Sequence, residues 1–227
     1  QKAPTHAGNP LKTLLKMGQS PWLDFINRTH TEDGSLKKMV EQDGLHGMTS
    51  NPSIFEQSMG YGHAYDAQIK KIISQKQVTA GQLYEELAVT DIKAAADTLR
   101  PVFEKTKGLD GHVSIEVSPH LAHDVKGTVE EAHRLWKAVS KPNLMIKIPG
   151  TVEGAKAIED VTADGMSVNV TLLFSQKAYH SVLEAYIAGL ERRVAKGEDI
   201  SRLSSVFSFY IGRVVLFFDL VLDQRVA

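Results

Sequence analysis

The stretch Leu144-Met145-Ile146-Lys147-Ile148 places one lysine inside an otherwise apolar run. Side chains alternate between the two faces of a β-strand, so Ile146 and Ile148 share one face while Lys147 lies on the other. A short apolar run of this kind is typical of a buried strand. The stretch therefore predicts a strand that carries a lysine into the interior, although a lysine facing solvent on an edge strand fits the same pattern.

Further runs of the same kind alternate with stretches of helical period along the chain. The strand candidates are Trp22–Phe25, Gly47–Asn51, Val113–Val117, Leu144–Ile148, Ser167–Leu172 and Ser205–Ser208. Between the third and fourth, Thr128 to Glu131 has the pattern of a capping box, followed by apolar residues at helical spacing. A second helix is predicted to begin after Ser175 and to stop near Gly197. The alternation predicts an α/β fold with parallel strands.

The faces of these strands favour a barrel over an open sheet. If the apolar faces pack on helices, the opposite faces carry polar side chains into one interior; these are Glu116, Lys147, Asn169 and Thr171. An open doubly wound sheet covers both faces with helices and leaves no place for such groups, whereas a (β/α)8 TIM barrel keeps its catalytic groups at the carboxyl ends of its strands. With no linker or repeat in the sequence, residues 1–227 are predicted to form a single domain.

Composition excludes several classes of partner. The 227 residues include 26 Lys and Arg against 27 Asp and Glu, for a net charge of -1, and no cluster of basic residues predicts nucleic-acid or membrane-surface binding. No cysteine is present, which suits a cytoplasmic protein. The N-terminal residues show no signal-peptide core, and the longest apolar stretch, Val214–Leu222, is too short to span a bilayer.

The interior lysine indicates a definite chemistry. Burial disfavours a charged amine, and an uncharged amine attacks carbonyls to form a Schiff base, which withdraws electrons from a neighbouring carbon–carbon bond. Asp24 and Glu116 are candidate proton carriers, although carboxylates at strand ends also serve as helix caps or ion-pair partners. Asn169 and Thr171 could bind a polyol and a water, or simply pack. His120 and His123 have the spacing of a metal pair but no further ligand, so no metal site is predicted.

Several motifs in order resemble transaldolase. They are Thr49-Ser50-Asn51-Pro52-Ser53, Glu116-Val117-Ser118-Pro119, the run from Asn143 to Pro149, the run from Asn169 to Ser175, and Ser208-Phe209-Tyr210-Ile211-Gly212-Arg213. The match runs from about Trp22 to Arg213, nearly the whole chain. Spaced motifs that agree in order are far more specific than one motif.

The resemblance implies a role for each site residue. The implied catalytic residues are Lys147, Asp24, Glu116 and Thr171, and the implied substrate-binding residues are Asn51, Asn169, Ser208 and Arg213. Lys147 would form the Schiff base, Asp24 would act as acid and base on a substrate hydroxyl, and Glu116 with Thr171 would handle the water. Asn51 and Asn169 would hold the dihydroxyacetone unit, and Arg213 would contact a phosphate.

The implied reaction transfers a dihydroxyacetone unit from sedoheptulose 7-phosphate or fructose 6-phosphate to an aldose phosphate, in the non-oxidative pentose phosphate pathway. Sugar phosphates are then the partners, no cofactor is needed, and the resemblance allows a homodimer. Two alternatives stay open at this point. The chain could be an aldolase that releases free dihydroxyacetone, as fructose 6-phosphate aldolases do, or a catalytically silent fragment that keeps the motifs.

The sequence also departs from the family that it resembles. The sixth strand ends near Ser208, so two of the eight strands of a TIM barrel are absent and the barrel is predicted to be incomplete. We therefore expect the chain to be part of a longer protein. Val214-Val215-Leu216-Phe217-Phe218 is more apolar than the family pattern, which has an acidic residue near Val215. Fructose 6-phosphate aldolases tend to carry glutamine at the position of Glu116, which favours the transaldolase interpretation.

Overall fold

A computed structural model of the protein describes residues 8–226 and contains six parallel β-strands that alternate with helices. The strands are β1 (Trp22–Asp24), β2 (Gly47–Thr49), β3 (His112–Glu116), β4 (Leu144–Pro149), β5 (Val168–Leu173) and β6 (Ser205–Phe209). Each lies within two residues of its predicted bounds. This confirms the predicted α/β class, with six of the eight strands of a (β/α)8 barrel. Residues 1–7, which bear on the signal-peptide prediction, lie outside the described part.

Ten α-helices fill the described sequence around these strands. They are α1 (Pro10–Lys16), α2 (Arg28–Glu32), α3 (Ser35–Lys38), α4 (Pro52–Gly60), α5 (Asp66–Gln75), α6 (Ala80–Lys105), α7 (Val125–Val139), α8 (Val152–Ala163), α9 (Gln176–Ala195) and α10 (Ile211–Val226). A π-helical turn covers Met39–Asp43 and a 3-10 turn covers Pro119–Leu121. No helix within residues 8–226 combines the length and the apolar character needed to cross a membrane.

Side-chain caps explain where two of the longer helices begin. Thr79 and Gln82 form a reciprocal capping box at the start of α6. Ser175 accepts a hydrogen bond from the backbone N–H of Ala178 at the start of α9, as the sequence predicts. Beyond the other end of α9, Gly197 has φ +74°, a left-handed conformation that suits glycine after a helix. The predicted bounds of α9 are therefore confirmed.

The predicted capping box at Thr128 is wrong, because α7 begins three residues earlier, at Val125. Thr128 Oγ1 donates a hydrogen bond to the carbonyl oxygen of Leu121 over 2.9 Å. The Glu131 carboxylate accepts one from the backbone N–H of Ser118 over 3.2 Å. Both side chains therefore bind the turn before α7 and do not cap the helix.

The backbone contacts divide the chain into two compact units. The first comprises residues up to 116 together with 135–144, and the second comprises 117–134 and the residues from 145 onward. The prediction of a single domain over 1–227 stays a prediction. In the first unit, β1, β2 and β3 are parallel neighbours in chain order. In the second unit, β4, β5 and β6 have the same arrangement.

Each unit has its own packed interior. In the first, Ile92, Ala95 and Leu99 of α6 are fully buried, and the buried Asn143 side chain donates hydrogen bonds to the carbonyl oxygens of Ala96 and Gly111. In the second, α8 and α9 pack closely. A Cβ atom at Gly189 would lie 2.6 Å from the Glu159 carbonyl oxygen, so glycine is needed for this approach of the two helices.

The last described helix, α10, differs from the others. Its apolar side chains are largely exposed, with Phe217 at 63% and Leu216 at 61% of full exposure. This helix contains the stretch from Val214 to Phe218, which the sequence already marks as unusually apolar.

Candidate active site

The predicted interior lysine is buried. Lys147 lies on β4 with 3% of its surface exposed, between Ile146 and Ile148, which are fully buried. The alternative of a solvent-facing lysine on an edge strand is therefore wrong. Because buried cations cost free energy unless partners compensate them, such a lysine is an unusual feature of a protein interior.

Register in the second unit brings polar side chains beside this lysine. Lys147 pairs with Asn169 across β4 and β5, and Pro149 pairs with Thr171. Paired residues of neighbouring parallel strands point to the same face about 4.8 Å apart, so Lys147 and Asn169 are side by side. Asn169 and Thr171 are each 1% exposed. The predicted alternation thus holds for these three site residues.

Lys147, Asn169 and Thr171 form a polar layer, and strand β6 with the residue after it adds two further side chains to this layer. Ser208 Oγ donates a hydrogen bond to Asn169 Oδ1 over 3.3 Å. The Tyr210 hydroxyl and Thr171 Oγ1 are 3.0 Å apart and share a hydrogen bond. Ser208 is a predicted substrate-binding residue, whereas Tyr210 has no predicted role. The signal that could have found it is simple parity, because Tyr210 lies two residues beyond Ser208.

Arg213 lies in the first turn of α10 and is exposed. Its Cζ atom lies 4.5 Å from the centre of the Tyr210 ring, at cation–π distance. Phe174 stacks on the same Tyr210 ring, with 5.5 Å between the two ring centres. A cavity of about 340 Å³ adjoins Arg213 and is lined by Phe174, Arg213, Val214, Phe217 and Phe218. Arg213 thus presents a cation beside an open apolar cavity.

One predicted strand face needs correction. Alternation from Val168 and Val170 places Leu172 on the buried apolar face, but Leu172 is 46% exposed and has φ +62°. The pairing of β5 with β6 is irregular between Val170 and Leu173, and Leu173 is fully buried instead. A β-bulge explains this, since one extra residue shifts the alternation of every residue beyond it.

The first unit holds the other predicted residues at the carboxyl ends of its strands. Asp24 is the last residue of β1, is exposed, and pairs in register with Thr49 of β2. Glu116 is the last residue of β3 and is half-buried. Asn51 precedes α4, and its side-chain oxygen accepts a hydrogen bond from the Ile54 backbone N–H over 3.0 Å. The Asn51 oxygen therefore serves as a helix cap.

Hydroxyl groups connect β2 and β3 beside these residues. Ser114 Oγ donates a hydrogen bond to Thr49 Oγ1 over 2.9 Å, and Ser50 Oγ donates one to the Ser114 carbonyl oxygen over 2.9 Å. Ser114 and Ser50 are buried. The predicted polar face of β3 is therefore used for hydrogen bonding between strands, which fixes the carboxyl ends of β2 and β3 relative to each other.

The two histidines with metal-like spacing lie at the surface of the second unit. His120 is in the 3-10 turn, and His123 Nδ1 is 3.1 Å from the Glu153 carboxylate. That hydrogen bond lowers the pKa of Glu153 below its ordinary value. Among residues 8–226, no cluster of three or more acidic or histidine side chains is arranged to hold a metal ion.

Fold and site together define a class of protein: an α/β chain of the parallel-barrel type with a buried lysine on a strand, flanked by amide and hydroxyl groups. Comparison with known proteins specifies this class further. The profile of the Transaldolase/Fructose-6-phosphate aldolase family matches residues 21–221. The chain belongs to this family.

Three curated relatives match almost the whole chain but only part of their own length. The chain is 45% identical over 217 residues to a protein named Transaldolase from Trichodesmium erythraeum, covering 96% of the chain and 57% of that relative. It is 47% identical over 210 residues to Transaldolase 2 from Nostoc punctiforme, covering 91% and 54%. It is 44% identical over 220 residues to Transaldolase from Thermobifida fusca, covering 97% and 58%. The chain thus spans little more than half the length of these relatives.

Proposed function

We propose that the protein containing this chain is a transaldolase. It transfers a dihydroxyacetone unit from a ketose phosphate, sedoheptulose 7-phosphate or fructose 6-phosphate, to an aldose phosphate, in the pentose phosphate pathway. The observation that carries the proposal is the burial of Lys147 beside Asn169 on adjacent parallel strands. Family membership and the names of the relatives support it.

In this proposal, Lys147 supplies the nucleophile. Its uncharged amine adds to the ketone carbonyl carbon, and the resulting carbinolamine loses water to give a Schiff base. The protonated Schiff base accepts the electron pair of the C3–C4 bond when that bond breaks, which leaves a three-carbon enamine on the lysine. The enamine then attacks the acceptor aldehyde, and water releases the new ketose from Lys147.

The neutral groups beside Lys147 bind and orient. Asn169 holds a hydroxyl of the dihydroxyacetone unit, and its oxygen is kept in place by the hydrogen bond from Ser208. Thr171 contacts the water that is lost and regained, and the hydroxyl of Tyr210 fixes the Thr171 side chain. Retaining the enamine in an oriented pocket until the acceptor arrives is what favours transfer over hydrolysis.

The carboxylates of the first unit carry protons. Asp24 takes the proton of the C4 hydroxyl as the C3–C4 bond opens, and returns it to the new hydroxyl after the acceptor is attacked. Glu116 acts with Thr171 on the water of Schiff-base formation and hydrolysis. The Asn51 oxygen caps α4, so Asn51 contacts the dihydroxyacetone unit as a hydrogen-bond donor through its amide nitrogen.

Arg213 binds the substrate phosphate. Its guanidinium can pair with two phosphate oxygens at once, and the Tyr210 ring lies under it at 4.5 Å. No step in this scheme requires a cofactor. A cytoplasmic location and a homodimer stay predictions.

A second candidate function is favoured by the family itself, which includes fructose 6-phosphate aldolases. Such an enzyme would cleave the same bond and release free dihydroxyacetone. Product analysis separates the two activities: with fructose 6-phosphate as donor, a transaldolase needs an acceptor aldose phosphate for turnover, whereas an aldolase forms dihydroxyacetone without one.

Reduction with borohydride tests the proposal directly. With donor present, the whole protein should gain a three-carbon adduct on Lys147, located by peptide mass spectrometry. Lys156, an exposed lysine on α8, is the internal control and should remain unmodified. A folded protein that gains no adduct at Lys147 would refute the transaldolase and the aldolase together, and would favour a catalytically silent protein.

A further inference from the structure

A buried ionic cluster lies in the first unit and consists of Arg28, Tyr65 and Asp91. Their exposed fractions are 6%, 2% and 1%. Arg28 Nε donates a hydrogen bond to Asp91 Oδ1 over 2.8 Å, and the Tyr65 hydroxyl donates one to Asp91 Oδ2 over 2.7 Å. The Arg28 guanidinium also lies over the Tyr65 ring, with Cζ 4.3 Å from the ring centre. The Asp91 carboxylate thus holds a cation and a hydroxyl with its two oxygens.

Stability alone is a weak reason for such a cluster. The desolvation of two buried charges offsets much of their attraction, so well-packed apolar side chains often stabilise a core equally well. Burial raises the pKa of Asp91, against the opposing effects of Tyr65 and Arg28, and this is the sign of that desolvation. The geometry that the cluster imposes is the stronger reason to examine it.

The buried ionic cluster joins three helices to the segment that follows β1. Arg28 is the first residue of α2, Asp91 lies in α6, and Tyr65 immediately precedes α5. Arg28 is only four residues beyond Asp24, the last residue of β1. The position of Arg28 therefore constrains residues 25–28, which lead away from the proposed proton carrier.

The backbone of this segment is also held directly. The Tyr65 hydroxyl accepts a hydrogen bond from the Arg28 backbone N–H over 3.3 Å, so Tyr65 contacts both the backbone of Arg28 and the carboxylate of Asp91. Two residues earlier, the Ile26 carbonyl oxygen accepts a hydrogen bond from Ser58 Oγ over 2.7 Å. Asp24 itself is exposed, so the backbone on either side of it sets where its carboxylate lies.

We propose that Asp91 and Tyr65 are positioning residues for Asp24: through Arg28 they fix residues 25–28, and with them the place of the Asp24 carboxylate during proton transfer. This inference rests on the proposed function, in which Asp24 carries the proton of carbon–carbon cleavage. Displacing a catalytic group by about 1 Å can cost about 100-fold in rate, so a device that fixes the segment has a direct effect on turnover.

Tyr65→Phe in the whole protein is the sharpest test. The phenyl ring keeps its packing against Arg28, while the hydroxyl that joins Asp91 to the Arg28 backbone is lost. We expect kcat to fall about tenfold with KM within about twofold, because the bound state is kept and the geometry of the later step is disturbed. The total yield of borohydride adduct at Lys147, counted as whole donor sugar plus three-carbon unit, should stay at the wild-type level, because the amine attacks before Asp24 acts.

Two further variants complete the experiment. Asp91→Asn removes the charge that holds Arg28 and should lower kcat at least as much as Tyr65→Phe, if it folds. Asp97→Asn is the matched control, because Asp97 is an exposed carboxylate on the same helix that pairs with Lys141; it should keep the wild-type kcat.

The outcomes are distinguishable. A folded Tyr65→Phe protein with wild-type kcat overturns the positioning role, and so does a parallel loss of adduct and turnover, which indicates general disruption of the fold. Wild-type protein that forms no adduct at Lys147 refutes the proposed function itself, and the positioning role with it. A lowered kcat with unchanged KM and unchanged adduct yield supports the positioning role.

Discussion

The buried ionic cluster of the first unit and the polar layer around Lys147 in the second unit bury polar side chains in different ways. In the cluster, opposite charges neutralise one another within 2.8 Å. Around Lys147, the groups described on β5 and β6 are an amide and hydroxyls, namely Asn169, Thr171, Ser208 and Tyr210. The cluster is built on helices, whereas the polar layer is built on strands and the residue just beyond β6.

The buried ionic cluster and the polar layer around Lys147 suit different tasks. A buried ion pair holds the backbone of both partners firmly, because separating the two charges leaves each of them buried and uncompensated. Neutral amide and hydroxyl groups can both donate and accept hydrogen bonds, so they suit the binding of a substrate's hydroxyl groups. Under the proposed function, the first unit therefore uses buried charge for geometry, and Asn169, Thr171 and Ser208 of the second unit use hydrogen bonds to bind and orient the substrate.

The largest effect on turnover is expected from removing the Lys147 amine, the central group of the polar layer. We expect Lys147→Ala to lower turnover by at least about 10³-fold, because the proposed mechanism forms its Schiff base on this amine. Circular dichroism should show a folded protein, and Lys147→Met, which keeps the side-chain length, should behave in the same way. Lys156→Ala is the control and should keep wild-type turnover. Transfer at the wild-type rate in Lys147→Ala would refute the assigned role.

The next effect concerns Asp24, the proposed proton carrier of the first unit. Asp24→Asn keeps the shape of the side chain but cannot accept the hydroxyl proton, so we expect kcat to fall by about 10² to 10⁴-fold. A borohydride adduct with donor should still form at Lys147, but with the mass of the whole donor sugar, because its C3–C4 bond is not cleaved. Steady-state kinetics and peptide mass spectrometry measure the two results. Equal loss of adduct and turnover would contradict a role confined to the later step.

A smaller effect is expected from the hydroxyl of Tyr210. Tyr210→Phe keeps the ring that stacks on Phe174 and lies under Arg213, but it removes the hydrogen bond to Thr171. The loss of one neutral hydrogen bond should lower kcat about two- to tenfold. Tyr186→Phe, on α9 of the same unit, is the matched control and should have no effect. Unchanged kinetics in Tyr210→Phe would show that Thr171 is held by other contacts.

The smallest expected effect concerns a buried histidine of the first unit and the pH dependence of protein stability. His112 is 1% exposed, and burial lowers its pKa below the ordinary value of 6.5. As the pH falls below 6.5, the unfolded chain therefore binds more protons at His112 than the folded protein does. The free energy of unfolding is therefore highest above pH 6.5 and decreases as the pH falls below it.

Thermal unfolding between pH 7 and pH 5 measures this contribution. His112→Leu should flatten the fall of the melting temperature on the acid side, because the variant has no group to protonate there. His63→Gln is the control, since the His63 side chain is 94% exposed, and it should leave the slope unchanged. An acid slope in His112→Leu equal to that of the wild type would contradict the assignment.

Much of the strand framework can be predicted from the sequence, because short apolar runs mark buried strands. Lys147, Asn169 and Thr171 follow from alternation alone, and their burial confirms it. Their roles come from the family resemblance and stay proposals. Arg28 and Asp91 illustrate what the sequence does not reveal: they are 63 residues apart, and no local pattern pairs them.

Local patterns mislead where a side chain binds a distant part of the chain. Thr128 and Glu131 have the spacing of a capping box, but their hydrogen bonds go to Leu121 and Ser118 in the preceding turn. Leu172 fails for another reason, because the alternation rule assumes an unbroken strand and the bulge shifts it by one residue.

The bulge at Leu172 has a practical consequence for enzyme engineering. Under the proposed function, a mutant library that follows simple alternation along β5 would randomise positions 169, 171 and 173 as though all three faced the substrate. Leu173 is fully buried, so changes there would damage the hydrophobic packing. If the proposed function holds, libraries aimed at new substrates should stop at 171 on β5 and continue at 208 and 210.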